Sequence, residues 1–351
     1  MPRMSLRALT LTLVMAASPG TLHAQPGDAV EVASGDRITG SVSRLERGRL
    51  AFRTASAGPG HQRFAGTISI VWAEVVSLTC SQHLDVELAS GERFAGSISS
   101  PSPGRLVVQT ASGPTRPIPV AEFVWIAPIE AGFRGRTVGS VDLGVSYSSA
   151  EGARTYTLRT EASYRSPGHA YEAQFSFDSW LSARDETETL TRNDFLFDVR
   201  RRLQGRWFAV AKFETQQDGP LQLDVRILAG GGVGRVLVQS NRTRLYLQGG
   251  LDYDAERYES AQSFEHSAEV FAGVDWDWFE SGGAVEAAVA ATTFIGLERP
   301  RARLELDATI RRDVFWRLYW ALSVHEGFDS DPPADRPRSN LGLALSLGWS
   351  F

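Results

Sequence analysis

Along most of this chain hydrophobic and polar residues alternate with a period of two, and the last stretch shows it most plainly. Leu341, Leu343, Leu345, Leu347, Trp349 and Phe351 fall on one parity, and Asn340, Gly342, Ala344, Ser346, Gly348 and Ser350 on the other. Side chains of a strand point alternately to opposite faces, so this is a β-strand with one apolar face and one small, polar face. The small face has no bulk with which to fill a core. An apolar outside, a small or wet inside and an aromatic end suit a transmembrane β-barrel. Taken alone, the segment also fits the final strand of a soluble sandwich.

The same alternation recurs upstream and predicts twelve strands between Val138 and the end of the chain. In Val138–Tyr147, the residues Val141, Leu143, Val145 and Tyr147 face lipid. In Ser267–Trp278, Val270, Ala272, Val274, Trp276 and Trp278 alternate with Glu269, Gly273, Asp275 and Asp277. In Val314–His325, Trp316, Leu318, Trp320, Leu322 and Val324 point outward. The connections alternate too. Short turns such as Ser166-Pro167-Gly168 and Ser240-Asn241-Arg242 take turns with longer polar loops such as Ser182–Asn193, Ala255–Ser263 and Glu326–Arg338. Outer-membrane barrels have this asymmetry, with short turns on the periplasmic side.

Ahead of the strands, Met1 to Ala24 reads as an export signal. Arg3 and Arg7 precede an apolar run, Ala8 to Ala17, and Leu22-His23-Ala24 forms a cleavage site. Residues 27–128 then hold an internal duplication, with copies at about 28–80 and 83–128. Val30 to Val42 of the first copy matches Asp85 to Ile98 of the second, each a strand, a Ser-Gly-Asp/Glu turn and a returning strand. Each copy holds about five short strands, the size of an SH3- or Sm-like barrel. Residues 129–136 form a linker, and 137–351 the outer-membrane barrel. The expected fold is all-β: a 12-stranded antiparallel transmembrane barrel behind a tandem pair of small barrels, with the pair in the periplasm.

Composition narrows the function. Hydrophobic residues are 42% and mean hydropathy is −0.17, values that look soluble. After the leader no window reaches 18 apolar residues, so a helical membrane protein is excluded, whereas a barrel escapes that test. A net charge of −5 gives no basic footprint for nucleic acid. Cys80 is the single cysteine, so there is no internal disulfide. No His/Cys/Asp/Glu spacing marks a metal site, and no motif calls for a cofactor.

Several motifs make the chain similar to a known family. They are Arg206-Trp207-Phe208, the run Gly230-Gly231-Gly232-Val233-Gly234-Arg235, Thr243-Arg244-Leu245-Tyr246-Leu247, and Leu251-Asp252-Tyr253 with Glu256-Arg257-Tyr258. With the aromatic end, they resemble the DUF481 outer-membrane proteins, the salt-induced outer membrane protein type, over about Gly139 to Phe351. The resemblance implies an outer-membrane barrel without an established activity and brings no catalytic residues. Trp349 and the terminal Phe351 resemble the signal read by the barrel-assembly machinery. Outer-membrane lipid and that machinery are the expected partners, with a periplasmic partner for the repeats.

Function is expected on the inward face. Its predicted acids include Glu161, Asp178, Asp198, Asp252, Glu269, Asp275, Glu305 and Asp307, and its predicted bases Arg159, Arg200, Lys212 and Arg317. Carboxylate rings favour cations, so one reading is a narrow, weakly cation-preferring pore linked to envelope or osmotic stress. The other is a non-conducting scaffold whose lumen is filled by paired charges and whose repeats bind a protein or cell-wall partner. A lipid hydrolase would need a serine beside a histidine at the rim. His266 and His325, near Ser263 and Ser323, show no nucleophile motif, and the expectation is no enzyme. Trp276, Trp278, Trp316, Trp320 and Trp349 read as interfacial belt residues.

Overall fold

The computed structural model describes residues 28–54, 66–129, 132–148, 153–184, 188–219, 222–259, 263–280, 284–315, 317–332 and 338–350. The expected leader, Trp316 and Phe351 lie outside them.

The N-terminal unit has ten strands: β1 (Asp28–Val32), β2 (Arg37–Glu46), β3 (Arg49–Thr54), β4 (Thr67–Val71), β5 (Val75–Leu88), β6 (Arg93–Ser102), β7 (Arg105–Thr110), β8 (Gly113–Pro114), β9 (Ile118–Pro119) and β10 (Phe123–Pro128). The duplication is visible in the turns. Gly35 and Gly91 sit at φ 89° and 87°, a backbone region open to glycine, and Ser34 and Ser90 donate to Asp36 and Glu92 across the same bend.

The two copies are joined more closely than a tandem pair. In the first, β1 pairs with β2 and with Val75–Thr79 of β5. In the second, Leu84–Leu88 of the same β5 take the place of β1 and pair with β6 and β10. The boundary expected at residues 80–83 therefore falls inside one unbroken strand. Val30, Phe52 and Leu78 share a single buried cluster with Leu88, Leu106 and Phe123. So few short strands bury too little apolar surface to stand alone, and merging the two cores remedies this. Trp72, 1% exposed, ties the copies by donating from Nε1 to the Val120 carbonyl at 2.8 Å.

A one-turn helix, α1 (Phe133–Arg136), leads into twelve strands. They are β11 (Thr137–Ser148), β12 (Ala153–Arg165), β13 (Tyr171–Arg184), β14 (Glu188–Arg202), β15 (Trp207–Asp218), β16 (Leu223–Gln239), β17 (Thr243–Tyr258), β18 (Glu265–Phe279), β19 (Val285–Gly296), β20 (Ala302–Phe315), β21 (Leu318–Asp329) and β22 (Ser339–Ser350). They close into one antiparallel barrel, each strand beside its chain neighbours and β22 against β11. Leu143, Tyr156, Phe197, Phe213 and Leu251 stand exposed on the outside, while Asp142, Arg159, Asp198, Lys212 and Asp252 on the other parity face in. Closure pairs the backbone of the spanning strands within the chain, as hydrocarbon demands, with the shortest ladder between β11 and β22. The strands also run further than expected. Much of the polar stretch 182–193 pairs as β13 and β14, and Ala255–Tyr258 continue β17, because polar residues can pair on both faces above an apolar band.

The N-terminal unit docks on the short-turn end of the barrel. Asp85 accepts from the Gly168 amide at 2.9 Å and pairs with Arg136, whose Nη2 also donates to the Pro128 and Ile129 carbonyls. Arg206 donates to the Ala89 carbonyl at 2.6 Å, and Asn241 Nδ2 to that of Phe123 at 2.8 Å. Replacing Trp72 with Phe keeps most of the volume but orphans a buried carbonyl. We expect Trp72→Phe to lower stability by about 1–3 kcal/mol, read as a fall in urea midpoint by circular dichroism.

Candidate functional site

The inward face of the barrel encloses a cavity of about 910 Å³. Its floor, at the short-turn end, is a hairpin of the docked unit. Glu46 ends β2 and Arg49 begins β3, so Arg47 and Gly48 form the tip, both at positive φ (51° and 71°). This tight reversal projects Arg47 under the lumen, where Nη1 meets Glu286 at 2.9 Å and the guanidinium stacks 5.4 Å from the Phe279 ring centre. Arg49 reaches Asp313 at 3.4 Å on the next inward position round the rim. Burial raises the pKa of the Glu46 carboxyl, but Arg165, Arg47, Arg44 and Arg244 together outweigh it and hold the pKa below the usual carboxylate value. Glu46 and Arg47 both line the cavity.

Above the floor one wall is apolar. Phe208, Tyr246, Phe271 and Phe294 pack with Val210, Leu228 and Val236 inside the barrel. Cations lie against these rings: Lys212 Nζ is 4.0 Å from the Phe271 centre and 4.8 Å from that of Phe294, and Arg200 stands over Phe208 and Tyr246. The glycine run of β16 makes room for them. A Cβ at Gly234 would lie 2.3 Å from the Phe208 ring, and one at Gly230 would overlap the Asp252 carboxylate. Lys212 meets that carboxylate at 2.6 Å, and Asp252 is buried. Burial without a partner would be expensive for either charge.

Towards the long-loop end the charges form linked groups. Arg303 bridges Glu269, Asp254 and Glu305, while Arg226 and Arg301 share Glu256, and Arg301 continues to Asp329. Across the lumen Arg159 bonds Asp178, and Arg192 bonds Asp194 and the Nε2 of His325, whose Nδ1 lies 2.9 Å from Asp307. With Nε2 facing a guanidinium, Nδ1–H is the donor to Asp307. Ser323, two residues away, bonds Thr309 and Arg159. His266 faces outward instead, beside the Tyr253 hydroxyl. Among the described residues, carboxylates outnumber cationic groups along the cavity wall.

The structure places the expected lumen charges as follows. Asp198 and Asp275 share Arg200, Lys212 meets Asp252, Glu269 and Glu305 share Arg303, Arg159 meets Asp178, and Asp307 meets His325. Glu161 stands opposite Ser140 and Ser176 and lines the open part of the lumen. Arg317 is a correction. Parity predicts it in the lumen, but β20 runs on to Phe315 and β21 begins at Leu318, so Arg317 is an exposed turn residue whose carbonyl accepts from the Ser350 amide at 3.0 Å. Trp349 faces outward, paired in register with Val141 and Leu318. Missed altogether were the aromatic wall and Arg192, Asp218, Glu256, Arg301 and Asp329. Phe208, Tyr246, Phe271 and Phe294 share the parity of Lys212, Asp252, Glu269 and Glu286 and could have been found that way; Arg192, Asp218, Glu256 and Asp329 sit where strands outrun their apolar stretch, and Arg301 just ahead of β20.

Lys212 and Asp252 provide a test of how the lumen is held. Lys212→Met leaves a buried carboxylate without its cation and is expected to cost about 3–5 kcal/mol. The double variant Lys212→Met/Asp252→Leu removes that penalty and should recover most of the loss, followed by urea unfolding and heat-modifiable gel mobility of the refolded barrel.

Among the described residues no helix is long and apolar enough to cross a membrane, and the crossing is made by strands. No curated protein matches the chain. Among solved structures it is similar to the translocator domain of the autotransporter NalP from Neisseria meningitidis, at 12% identity over 61% of this chain and 86% of that one, with a TM-score of 0.36. The β domain of the Bordetella autotransporter BrkA matches at 11% identity over 61% and 97%, TM-score 0.33. A porin refined at 1.8 Å matches at 10% identity over 93% and 98%, TM-score 0.30. A closed antiparallel barrel with an apolar outside and a charged inside is the architecture of an outer-membrane protein. The family model described as "Protein of unknown function, DUF481" matches residues 141–351, and the chain belongs to that family.

Proposed function

We propose that this outer-membrane barrel is a gated, weakly cation-preferring conduit, closed from the periplasmic side by its own N-terminal unit. The observation that carries this reading is the Arg47–Gly48 tip lying across the floor of the acid-rich cavity, latched to Glu286 and, through Arg49, to Asp313. The latch consists of ion pairs that are part-exposed, and such pairs weaken as salt rises. Release of the unit at high ionic strength would connect the gate to osmotic stress of the envelope. The role is not enzymatic in this reading: Ser323 and His325 are each engaged by other groups, and neither is set against the other.

Single-channel recording in planar bilayers tests it. The native chain should be mostly silent in moderate KCl, while Arg47→Ala/Arg49→Ala/Asp85→Ala, which loosens the docking, should show steady openings with a cation-shifted reversal potential in asymmetric KCl. A heat-modifiable triple variant that stays silent would overturn the conduit and leave a plugged scaffold. The pH dependence has a definite sign. Docking depresses the pKa of Glu46, so its contribution is complete above the ordinary carboxylate range and is lost as pH falls through the depressed docked value. Openings of the native chain should therefore increase as pH falls below the ordinary carboxylate range. The triple variant, already undocked, should show no such rise.

A further inference from the structure

The barrel wall is not equally paired all the way round. Between β11 and β22 the ladder covers only Ser140–Leu143 against Leu347–Ser350, four residues on each strand, where every other pair of neighbours runs eleven or more among the described residues. Gly144–Ser148 and Ser339–Ser346 remain strands, but they pair only with β12 and β21. The seam is therefore zipped at its base and still closed at Gly144, where a Cβ would lie 3.2 Å from the Leu345 carbonyl; above that level no ladder pair joins the two strands. The base is clamped from inside, where the Tyr319 hydroxyl donates to Asp142 at 2.8 Å across Gly348, the one residue small enough to pass beneath.

We propose that the parted half of this seam is a lateral portal that holds a zwitterionic phospholipid, with its headgroup in the lumen and its acyl chains in the bilayer. Free strand edges are not tolerated in hydrocarbon, so the exposed amides and carbonyls call for a polar partner at membrane depth. The lumen cavity reaches the seam, lined there by Gly144 of β11 with Thr155 and Thr157 of β12 behind it, and by Gly342, Ala344 and Ser346 of β22. These inward residues are small or hydroxylated and leave a passage. On the outside Val145, Leu343 and Leu345 are 72%, 70% and 68% exposed, among the most exposed apolar residues of the barrel, and offer an acyl chain a greasy border. Behind the seam Arg159, bonded to Asp178 and Ser323, and Asp307, bonded to His325, present both charge signs, which suits a phosphate joined to an ammonium group. A strand from a second copy would satisfy the same edges but would leave this mixed-charge cavity unfilled.

Carrying the base register upward sets Gly144 opposite Ser346 and Val145 opposite Leu345, so the seam can zip without slipping. The test uses the full chain in phosphatidylethanolamine–phosphatidylglycerol vesicles, with a benzophenone amino acid at Ala344 or, as a lumen control away from the seam, at Ala290. On irradiation we expect a phosphatidylethanolamine mass adduct at position 344 and none at 290. We also expect its loss when Val145→Cys/Leu345→Cys is oxidised, with recovery on reduction. Equal labelling at both positions, a phospholipid adduct indifferent to the disulfide, or a protein–protein adduct at 344 would each overturn the portal, the last in favour of a second copy. The comparison of 344 with 290 needs no disulfide, and none of these readouts depends on whether the lumen conducts.

Discussion

A peptide group in hydrocarbon has no water to turn to, and this one constraint shapes the whole C-terminal two-thirds of the chain. It forces the strands into a closed ring, fixes their antiparallel order, and makes every second residue answer to lipid and every other to the interior. Where the ring is complete, the sequence is free to place almost anything inside, and it places charges. Above Gly144, where the ladder between β11 and β22 has ended, the same constraint turns a gap in a ladder into a demand for a partner.

The interior is ordered by pairing rather than by apolar packing. Lys212 against Asp252 and Arg303 against Glu269 are nearly without solvent, and neither partner would persist alone. Aromatic rings stand beside these pairs on the same wall and give the cations a second surface to lie on. The carboxylate excess is left along the open part of the lumen, so the same residues that stiffen the barrel also set the sign of its field.

The alternation of Ser339–Ser350 was enough to read the barrel, because a period of two survives any tertiary context and the number of strands follows from counting turns. Strand ends were less legible. Arg192 and Asp218 lie beyond the apolar stretches, where they pair across β14 and β15, and Arg192 also reaches His325 on a distant strand. Arg317 shows the opposite failure: β21 starts only at Leu318, so a residue of inward parity falls in the turn while Tyr319, Ser323 and His325 after it keep that parity. The duplication was plain in the Ser-Gly-Asp/Glu turns, but the fusion through β5 was not. Nothing in a repeat tells whether its last strand is also the first of the next copy. The docking of Asp85 on Gly168 and the seam at β11–β22 are relations between distant segments, and they leave no local mark.

The shared strand β5 has a mechanical meaning. Two beads on a string could let go of the barrel one after the other, each tugging on its own turns. A unit threaded on one continuous strand cannot bend at its middle, so the contacts made by its first copy, at Arg47 and Arg49, and by its second, at Asp85 and Ala89, are rigidly linked. Prising up one edge loads the other like a lid on a single frame, and the unit leaves the mouth as a whole or stays.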